Sequence, residues 1–474
     1  MPIPKEILAV DRPKNTRVKK NGNRYDVIKR TSVWKNGKSV PVELGKIGEI
    51  INFEYVETKT SRLNFALCDI KQFGRTEIAY KLSKDVFEDL CKVYNPSDAK
   101  IIYAIAIIRA AYGNITNREI NRKYQCSFFS EQFPSIGLSS SNISRFLEKL
   151  GYNYRYIKQF IQNRIDTVSP GSTIVIDGML KNCSSKTSDF TKWSWKARTK
   201  GVQNISVLYA FDLNKKEPIA SKVFQGNTLD TMAFNRFIDE FSLNNCLIMG
   251  DKGILSKESL DKLNTEKKNV KNLFPIKRND KRIKALELSK YEMTFNSDED
   301  IILCKKAKLN QTEFLYSFKS TNDYNQERRT YLDKVNREQN FNNELLQEKE
   351  KLFGTITFIS NEDLSLKQIY DLYKTRWEIE EFFNFYKNIA ELDFVRVQQN
   401  TSVIATEFIN LISSIITSRM KKEFEEKGLT ERFSFNQIME RLSSANKYLD
   451  GTTKKWHYTS EKKYTDNIID ILNL

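Results

Sequence analysis

"STIVIDGML", residues 172–180, begins the part of the chain that decides the fold, a run in which apolar strands alternate with amphipathic helices. Asp177 lies near the end of this strand, and Asp251 ends a second apolar strand, "NCLIMGDKG". The predicted elements are, in order, strand 172–180, a hairpin at 204–226 that turns at 213–217, helix 229–243, strand 245–253, helix 256–263 and strand 272–277. This β-β-β-α-β-α-β order predicts an α/β fold, with helices flanking a mixed sheet.

The charge of the chain indicates a polyanionic partner. Its 474 residues carry a formal net charge of +17, with a pI near 9.3. The excess is uneven, because residues 1–40 contain eleven Lys or Arg against three acids, and residues 271–290 contain seven against two. Such clusters suit contacts with phosphate groups. No Gly-rich phosphate-binding motif stands at a strand-to-helix turn, so neither a dinucleotide site nor a P-loop is indicated.

Histidine and cysteine usage restricts the possible chemistry. The one histidine, His457, excludes His-rich zinc sites and argues against Ser-His-Asp and Cys-His mechanisms. The six cysteines form no CxxC pair, and most lie in apolar surroundings, as expected of free thiols in a reducing compartment. Any metal must therefore be held by carboxylates. The apolar stretch at 403–420 is interrupted by Glu407 and Asn410, so we expect a soluble, cytoplasmic protein with no membrane partner.

The sequence of the N-terminal third predicts a DNA-binding region. Residues 24–57 alternate as a hairpin around "KNGK", and residues 97–151 are helical. The last helix, "LSSSNISRFLEKLG" (138–151), presents Arg145 and Lys149 opposite an apolar face, which suits a helix-turn-helix-like unit in a major groove. A small helical packing module is the alternative interpretation.

A second helix carries an unusual line of polar side chains. In "YKTRWEIEEFFNFYK" (373–387), a turn of about 100° per residue puts Tyr373, Arg376, Glu380 and Lys387 on one narrow arc beside an apolar face. A surface ion pair between Arg376 and Glu380 would explain only part of this pattern.

Three carboxylates are candidates for one site. Asp177 and Asp251 could each be ordinary turn residues, but two aspartates at strand ends of one sheet, with Glu380 on a helix packed across it, can converge. Carboxylates without histidine suit Mg²⁺, and two such ions about 4 Å apart promote phosphodiester chemistry. Asp212, in a hairpin turn, and Asp230, at a helix start, are explained by local backbone roles.

These motifs resemble the DDE transposases of bacterial insertion sequences, in the branch marked by a Y-x2-R-x3-E-x6-K helix. The resemblance spans residues 170 to 415 and rests on three blocks: "TIVIDGML", the stretch from "VFQGNTLD" to "LIMGDKGILSKESLDKL", and "YKTRWEIEEFFNFYK". It implies that Asp177, Asp251 and Glu380 hold two Mg²⁺ ions, for which Mn²⁺ can substitute, and catalyse strand cleavage and transfer. It also implies that Tyr373, Arg376 and Lys387 hold DNA phosphates.

The resemblance further implies an RNase H-like core that is split by a β-rich insertion. The predicted parts are the N-terminal DNA-binding region (1–165), the first part of the core (166–280), the insertion (281–350), the second part of the core with the glutamate helix (351–430) and a C-terminal tail (431–474). Some relatives stack a flipped base on an insertion-domain tryptophan, which residues 281–350 lack. The candidate aromatic residues there for this stacking role are Phe295, Phe314, Tyr316 and Phe318.

The expected partners are double-stranded DNA, as terminal inverted repeats and as target, and a second copy of the chain in the DNA complex. Two alternatives stay open. One is an RNase H-like nuclease or resolvase without strand transfer, and the other is a domesticated DNA-binding protein that has lost catalysis.

Overall fold

The computed structural model describes residues 3–22, 24–35, 38–57, 69–113, 115–197, 201–265, 269–388, 392, 394–451, 453–460 and 463–474. The N-terminal elements are α1 (Lys5–Leu8), β1 (Thr16–Asn21), β2 (Arg24–Lys35), β3 (Lys38–Ile51) and β4 (Glu54–Glu57). The four strands form an antiparallel sheet in chain order, with a small core of its own. The predicted hairpin is confirmed as β2 and β3, while its turn residues 36 and 37 lie outside the described residues.

A helical region follows. Its elements are β5 (Asp69–Gln72), α2 (Gly74–Lys81), α3 (Lys84–Val93), α4 (Pro96–Tyr112), α5 (Asn117–Cys126), α6 (Phe129–Gln132), α7 (Ser140–Tyr152) and α8 (Tyr154–Asp166). Helix α4 stops at Gly113, whose φ of 79° is a conformation that glycine adopts easily. Thr116 and Glu119 form a capping box at the start of α5. The glycine after α4 and the capping box at the start of α5 are both common sequence signals for the ends of helices.

The central segment has the predicted order of elements. These are β6 (Thr173–Cys183), β7 (Asn204–Asp212), β8 (Glu217–Gln225), α9 (Asp230–Glu240), β9 (Leu247–Gly250), α10 (Lys257–Thr265) and β10 (Lys271–Pro275). The hairpin of β7 and β8 turns where expected. Strand β6 is longer than predicted, so Asp177 lies in its middle rather than near its end.

The predicted β-rich insertion, residues 281–350, contains three strands, and these extend the central sheet. The elements are α11 (Lys281–Ala285), β11 (Met293–Ser297), β12 (Asp300–Lys308), β13 (Phe314–Ser320), α12 (Thr321–Glu338) and α13 (Asn343–Glu350), followed by β14 (Thr355–Ser360). Strand β13 pairs with β14, and β14 pairs with β10. The second half of the segment is helical, so its β structure is confined to residues 293–320.

The C-terminal elements close the fold. They are α14 (Leu366–Thr375), α15 (Trp377–Asn388), β15 (Phe394–Val395), α16 (Asn400–Glu426), α17 (Phe435–Leu442), β16 (Ala445–Leu449), β17 (Trp456–Ser460) and α18 (Lys463–Leu472). Within the described residues, ten strands form one mixed sheet in the order β11-β12-β13-β14-β10-β9-β6-β7-β8, with β15 also paired to β6. Strand β16 pairs with β5 and β17, which ties the C-terminal tail to the start of the helical region.

Helix α16 joins the helical region to the sheet. It packs against α4, α7 and β8, and one continuous hydrophobic core includes all of these elements. Gly151 of α7 allows this contact, because a Cβ there would lie 1.8 Å from the carbonyl oxygen of Thr401. Helix α16 is long and apolar enough to cross a membrane, but 89% of that apolar stretch is buried inside the protein. It therefore serves as a central core helix.

A buried ion pair crosses this core. The Lys181 ammonium on β6 donates to both carboxylate oxygens of Glu407 on α16, at 2.7 and 2.6 Å, and to the Tyr386 hydroxyl on α15 at 2.8 Å. Glu407 also accepts from Asn410 at 3.1 Å, and the Tyr209 hydroxyl donates to Tyr386 at 3.1 Å. These bonds fix the sheet, α15 and α16 relative to one another.

We expect Lys181→Met to lower the free energy of unfolding by about 3–5 kcal/mol, since it leaves Glu407 buried without its cation. The double variant Lys181→Met/Glu407→Leu should recover much of the loss. Urea unfolding measures both. Lys334→Met is the matched control, because its ion pair with Glu338 is exposed and should contribute less than about 1 kcal/mol. Equal losses in Lys181→Met and Lys334→Met would show that the buried pair does not hold the core.

Candidate active site

The register of two parallel strands brings Asp177 and Asp251 side by side. Strand β6 pairs with β9 so that Ile176 lies opposite Gly250. Asp177 and Asp251 are the residues that directly follow this pair, and neighbouring strands lie about 4.8 Å apart. The two carboxylates predicted from separate strand ends are therefore neighbours in space.

Asp177 lies beside the end of strand β9. Its backbone pairs with Tyr209 of β7, which occupies one edge of β6 from residue 174 to 182. On the other edge β9 ends at Gly250, one residue before Asp251, and β15 pairs with Asn182 and Cys183. Strand β7 therefore holds the Asp177 backbone in place at the point where β9 ends.

The surroundings of Asp177 disfavour its charged form. Burial raises the pKa of this carboxyl from 3.8 to about 6, and the nearby carboxylates of Asp251 and Asp230 add to the increase. A hydrogen bond of 2.8 Å from the Gly178 backbone N–H and the positive charge of Arg376 act in the opposite direction. A group of acids that repel one another in a partly buried site favours binding of cations.

Arg376 joins Glu380 to the two aspartates. Its guanidinium donates to Glu380 Oε1 at 2.7 Å, and its side chain is only 15% exposed. Burial lowers the pKa of Arg376, but Tyr373, Glu380, Asp177 and Asp251 together raise it above the ordinary value. The arginine thus lies at the centre of the predicted set.

The predicted continuous helix through residues 373–387 is wrong. Helix α14 ends at Thr375 and α15 begins at Trp377. Around the break the bonds span three residues, from the Arg376 N–H to the Tyr373 oxygen at 3.1 Å and from the Ile379 N–H to the Arg376 oxygen at 3.2 Å. The stretch contains no proline or glycine, so nothing local in the sequence marks the break.

The other predicted DNA contacts differ in their surroundings. Tyr373 packs on Phe358, with ring centroids 4.5 Å apart, and Lys387 is partly buried in the last turn of α15. Arg145 and Lys149 lie on the exposed face of α7, as predicted, in the helical region. The Lys149 ammonium contacts Asp98 at 2.8 Å, and the Arg145 guanidinium donates to Asn142 at 2.7 Å.

Asp230 belongs to the same acidic group, which the sequence did not indicate. It is the first residue of α9, and a Cβ built on Gly253 would lie 3.5 Å from its Oδ2 and 4.0 Å from Asp251 Oδ2. Its helix-start position gave it a local explanation, and only the folded structure reveals that it lies near Asp251. The role predicted for Asp212 agrees with the structure, since its Oδ1 accepts the N–H groups of Asn214 and Lys215.

The donor set fits a hard divalent cation. Asp177, Asp251 and Glu380 offer only carboxylate oxygens, which Mg²⁺ prefers, and the Asp251 carboxylate adds to the raised pKa of Asp177, whose main cause is burial. Within the described ranges no three acidic, histidine or cysteine side chains stand in metal-binding positions. Glu380 pairs with Arg376 at 2.7 Å.

A groove of about 920 Å³ extends from this site toward the strands of residues 293–320. Arg376, Trp377 and Glu380 line one end, and Arg278 lies among the lining residues contributed by the rest of the sheet. Lys374 crosses the groove wall to contact Asp298 at 2.7 Å. The extension of the sheet therefore forms one wall of a cleft that leads to Glu380.

We expect Asp177→Asn to stabilise the metal-free protein at high pH. The folded protein holds the Asp177 pKa near 6, above the ordinary value, so the wild type loses stability as the pH rises from about 4 to 6 and carries the full penalty above pH 7. The variant should gain about 2–3 kcal/mol at pH 8 and much less at pH 4. Urea unfolding in EDTA measures this gain.

The control is Asp239→Asn, because Asp239 is an exposed carboxylate on α9 that pairs with Lys262. It should show no such gain at pH 8. A stability difference between wild type and Asp177→Asn that stays constant from pH 4 to pH 8 would contradict the electrostatic description of the site.

Comparison with known proteins identifies the domain that contains these residues. Residues 169–413, just over half of the chain, match the family described as Transposase DDE domain, and this range includes Asp177, Asp251 and Glu380. Among solved structures, the chain is similar to the piggyBac transposase in its synaptic complex with hairpin DNA, at 14% identity over 84% of this chain and 85% of that chain, with a TM-score of 0.41.

A second solved structure is the Mos1 transposase paired-end complex with the left transposon end. It shares 12% identity over 46% of this chain and 62% of that chain, with a TM-score of 0.16. No curated protein matches the chain. From the family match, which covers more than half of its length, this protein belongs to the transposase DDE domain family.

Proposed function

We propose that this protein is a transposase that binds the terminal inverted repeats of its element, cuts DNA there and joins the ends to a target. Asp177, Asp251 and Glu380 are the proposed catalytic residues. The observation that carries the proposal is the β6–β9 register, which makes two aspartates of a transposase-family domain neighbours, with the Arg376–Glu380 pair against them. The proposed core is RNase H-like, and its helix motif suggests the Y-x2-R-x3-E-x6-K branch of bacterial insertion sequences.

The proposed cofactor is Mg²⁺, as two ions, with Mn²⁺ as a substitute. Asp177, Asp251 and Glu380 would hold it, and when bound it would activate a water or hydroxyl and stabilise the leaving oxygen of the phosphodiester. Arg376 then has two proposed roles, one in the free protein and one in the DNA complex. In the free protein it neutralises Glu380, and in the complex its guanidinium would bind a DNA phosphate, which would leave Glu380 available to hold the metal.

DNA is the proposed partner because charge and geometry agree. The net charge of +17 favours a polyanion, and Tyr373, Arg376 and Lys387 would contact phosphates along the cleft beside Glu380. Arg145 and Lys149, on the exposed face of α7, would contact the repeat outside the cleavage site. A homodimer in the DNA complex and a cytoplasmic, nucleoid-associated location complete the proposal.

The main alternative is a nuclease that uses the same three carboxylates without strand transfer. Both enzymes would cleave DNA in Mg²⁺, but only a transposase would join the new 3′ end to a second duplex. A labelled-duplex assay that resolves joined products from cut products therefore separates them.

We expect Asp177→Asn, Asp251→Asn and Glu380→Gln each to lower Mg²⁺-dependent cleavage by at least about a hundredfold, because each removes one charged ligand of the proposed metal site. Binding of the same duplex should remain within a few-fold of wild type, since Lys and Arg contacts dominate affinity. The substrate is a duplex with the sequence of the DNA that flanks the gene. Gel analysis then measures the cut and the joined strands.

Asp239→Asn serves as the control here too, because this exposed carboxylate lies on α9 outside the acidic group. It should cleave like the wild type. Addition of Mg²⁺ at pH 8 should also raise the melting temperature of the wild type and not that of Asp177→Asn, which tests cation binding without activity. Wild-type cleavage by any of the three triad variants would remove that residue from the site.

A further inference from the structure

Two exposed tryptophans stand beside the acidic site on the segment between β6 and β7. Trp193 is 60% exposed and Trp195 is 78% exposed. An indole buries a large apolar area when a partner covers it, so two adjacent exposed indoles indicate a binding surface. Neither residue takes part in the cleft described above.

The base of this segment is firmly attached to the core. Lys192 and Asn204 exchange backbone hydrogen bonds of 3.0 and 2.9 Å, and the Gly226 N–H donates to the Phe190 oxygen at 3.0 Å. A Cβ on Gly226 would lie 2.9 Å from the Lys192 oxygen, so the segment passes close to the end of β8. The tryptophans therefore project from a fixed base, which lowers the entropy cost of binding.

An ion pair connects the segment to the acidic group. The Lys196 ammonium pairs with Asp230, and it also lies 5.3 Å from the ring centroid of Trp195. Asp230 is one of the carboxylates that raise the Asp177 pKa. The indoles thus lie next to the carboxylates at which, under the proposed function, a DNA end is cut.

We propose that Trp193 and Trp195 bind unpaired nucleotides of a DNA strand at the cleavage site by stacking on the bases. This inference rests on the proposed function for the position of the DNA, and the surface itself supports it. Lys192 and Lys196 flank the indoles, and aromatic side chains for stacking beside positive charges for the backbone are what proteins use to hold single strands. Bases in an intact duplex already stack on one another, so only unpaired bases offer free faces to the indoles.

A second copy of the chain is the other possible occupant of this surface. The lysines on both sides of the indoles make a polyanion the better match, because an interface between two copies would bring the same positive charges together. We therefore choose DNA, and the experiment below treats self-association as an outcome that overturns the choice.

The experiment compares a short duplex with the same duplex carrying a short unpaired extension that contains 2-aminopurine. The full-length wild type should bind the extended duplex more tightly and quench the 2-aminopurine. Trp195→Ala should lose about five-fold or more of that preference, while Trp195→Phe should keep much of it, because phenylalanine still stacks. Affinity for the blunt duplex should change little in any of these variants.

Phe341→Ala is the matched control, because Phe341 is also 60% exposed but lies in the connection between α12 and α13. If Trp193→Ala and Trp195→Ala bind both duplexes like the wild type, the proposal is overturned. The same holds if they change only the oligomeric state in sedimentation without DNA. A wild type that prefers the extension through these indoles but cleaves nothing would keep this inference and overturn the proposed function. A wild type that binds neither DNA would overturn both.

Discussion

The site depends on the parallel pairing of β6 with β9. This register alone sets Asp177 beside Asp251, although 74 positions separate them in the chain. A shift of one residue would turn one carboxylate to the opposite face of the sheet, because side chains alternate along a strand. The buried ion pair between Lys181 of β6 and Glu407 of α16 resists such a shift, since it fixes the same strand four residues after Asp177.

The balance of charge at the site is the second constraint, and the positive side chains neutralise the carboxylates only in part. Asp177, Asp251, Asp230 and Glu380 bring four carboxylates to one region, against the cations of Arg376 and Lys196. Each cation forms an ion pair with a carboxylate, and a DNA phosphate would compete with that carboxylate for it. Binding of a polyanion would draw these cations away and increase the negative charge at the site, which in turn favours divalent ions. DNA binding and metal binding are therefore expected to reinforce one another.

The sequence predicted the elements of the central sheet and left out what depends on tertiary packing. Short continuous apolar runs before Asp177 and Asp251 predicted both strands, because such runs are a local signal. The break at Arg376 has no local signal, since the stretch lacks proline and glycine. Asp230 was missed for the same reason. Strands β11–β13 join the central sheet because β13 pairs with β14, although two helices separate these two strands in the chain.

The shared core changes how a DNA-binding role for the helical region can be understood. Helices α4 and α7 bury their apolar faces against α16, and β5 pairs with β16 near the C-terminus. A fragment that ends at residue 165 would expose these faces, at a cost of about 25 cal/mol for each Å² of apolar surface. The exposed face of α7, with Arg145 and Lys149, is consequently held rigidly to the domain that contains Asp177. DNA bound there would have a fixed geometry relative to the carboxylates, so recognition and cleavage would act as one rigid unit rather than as two tethered modules.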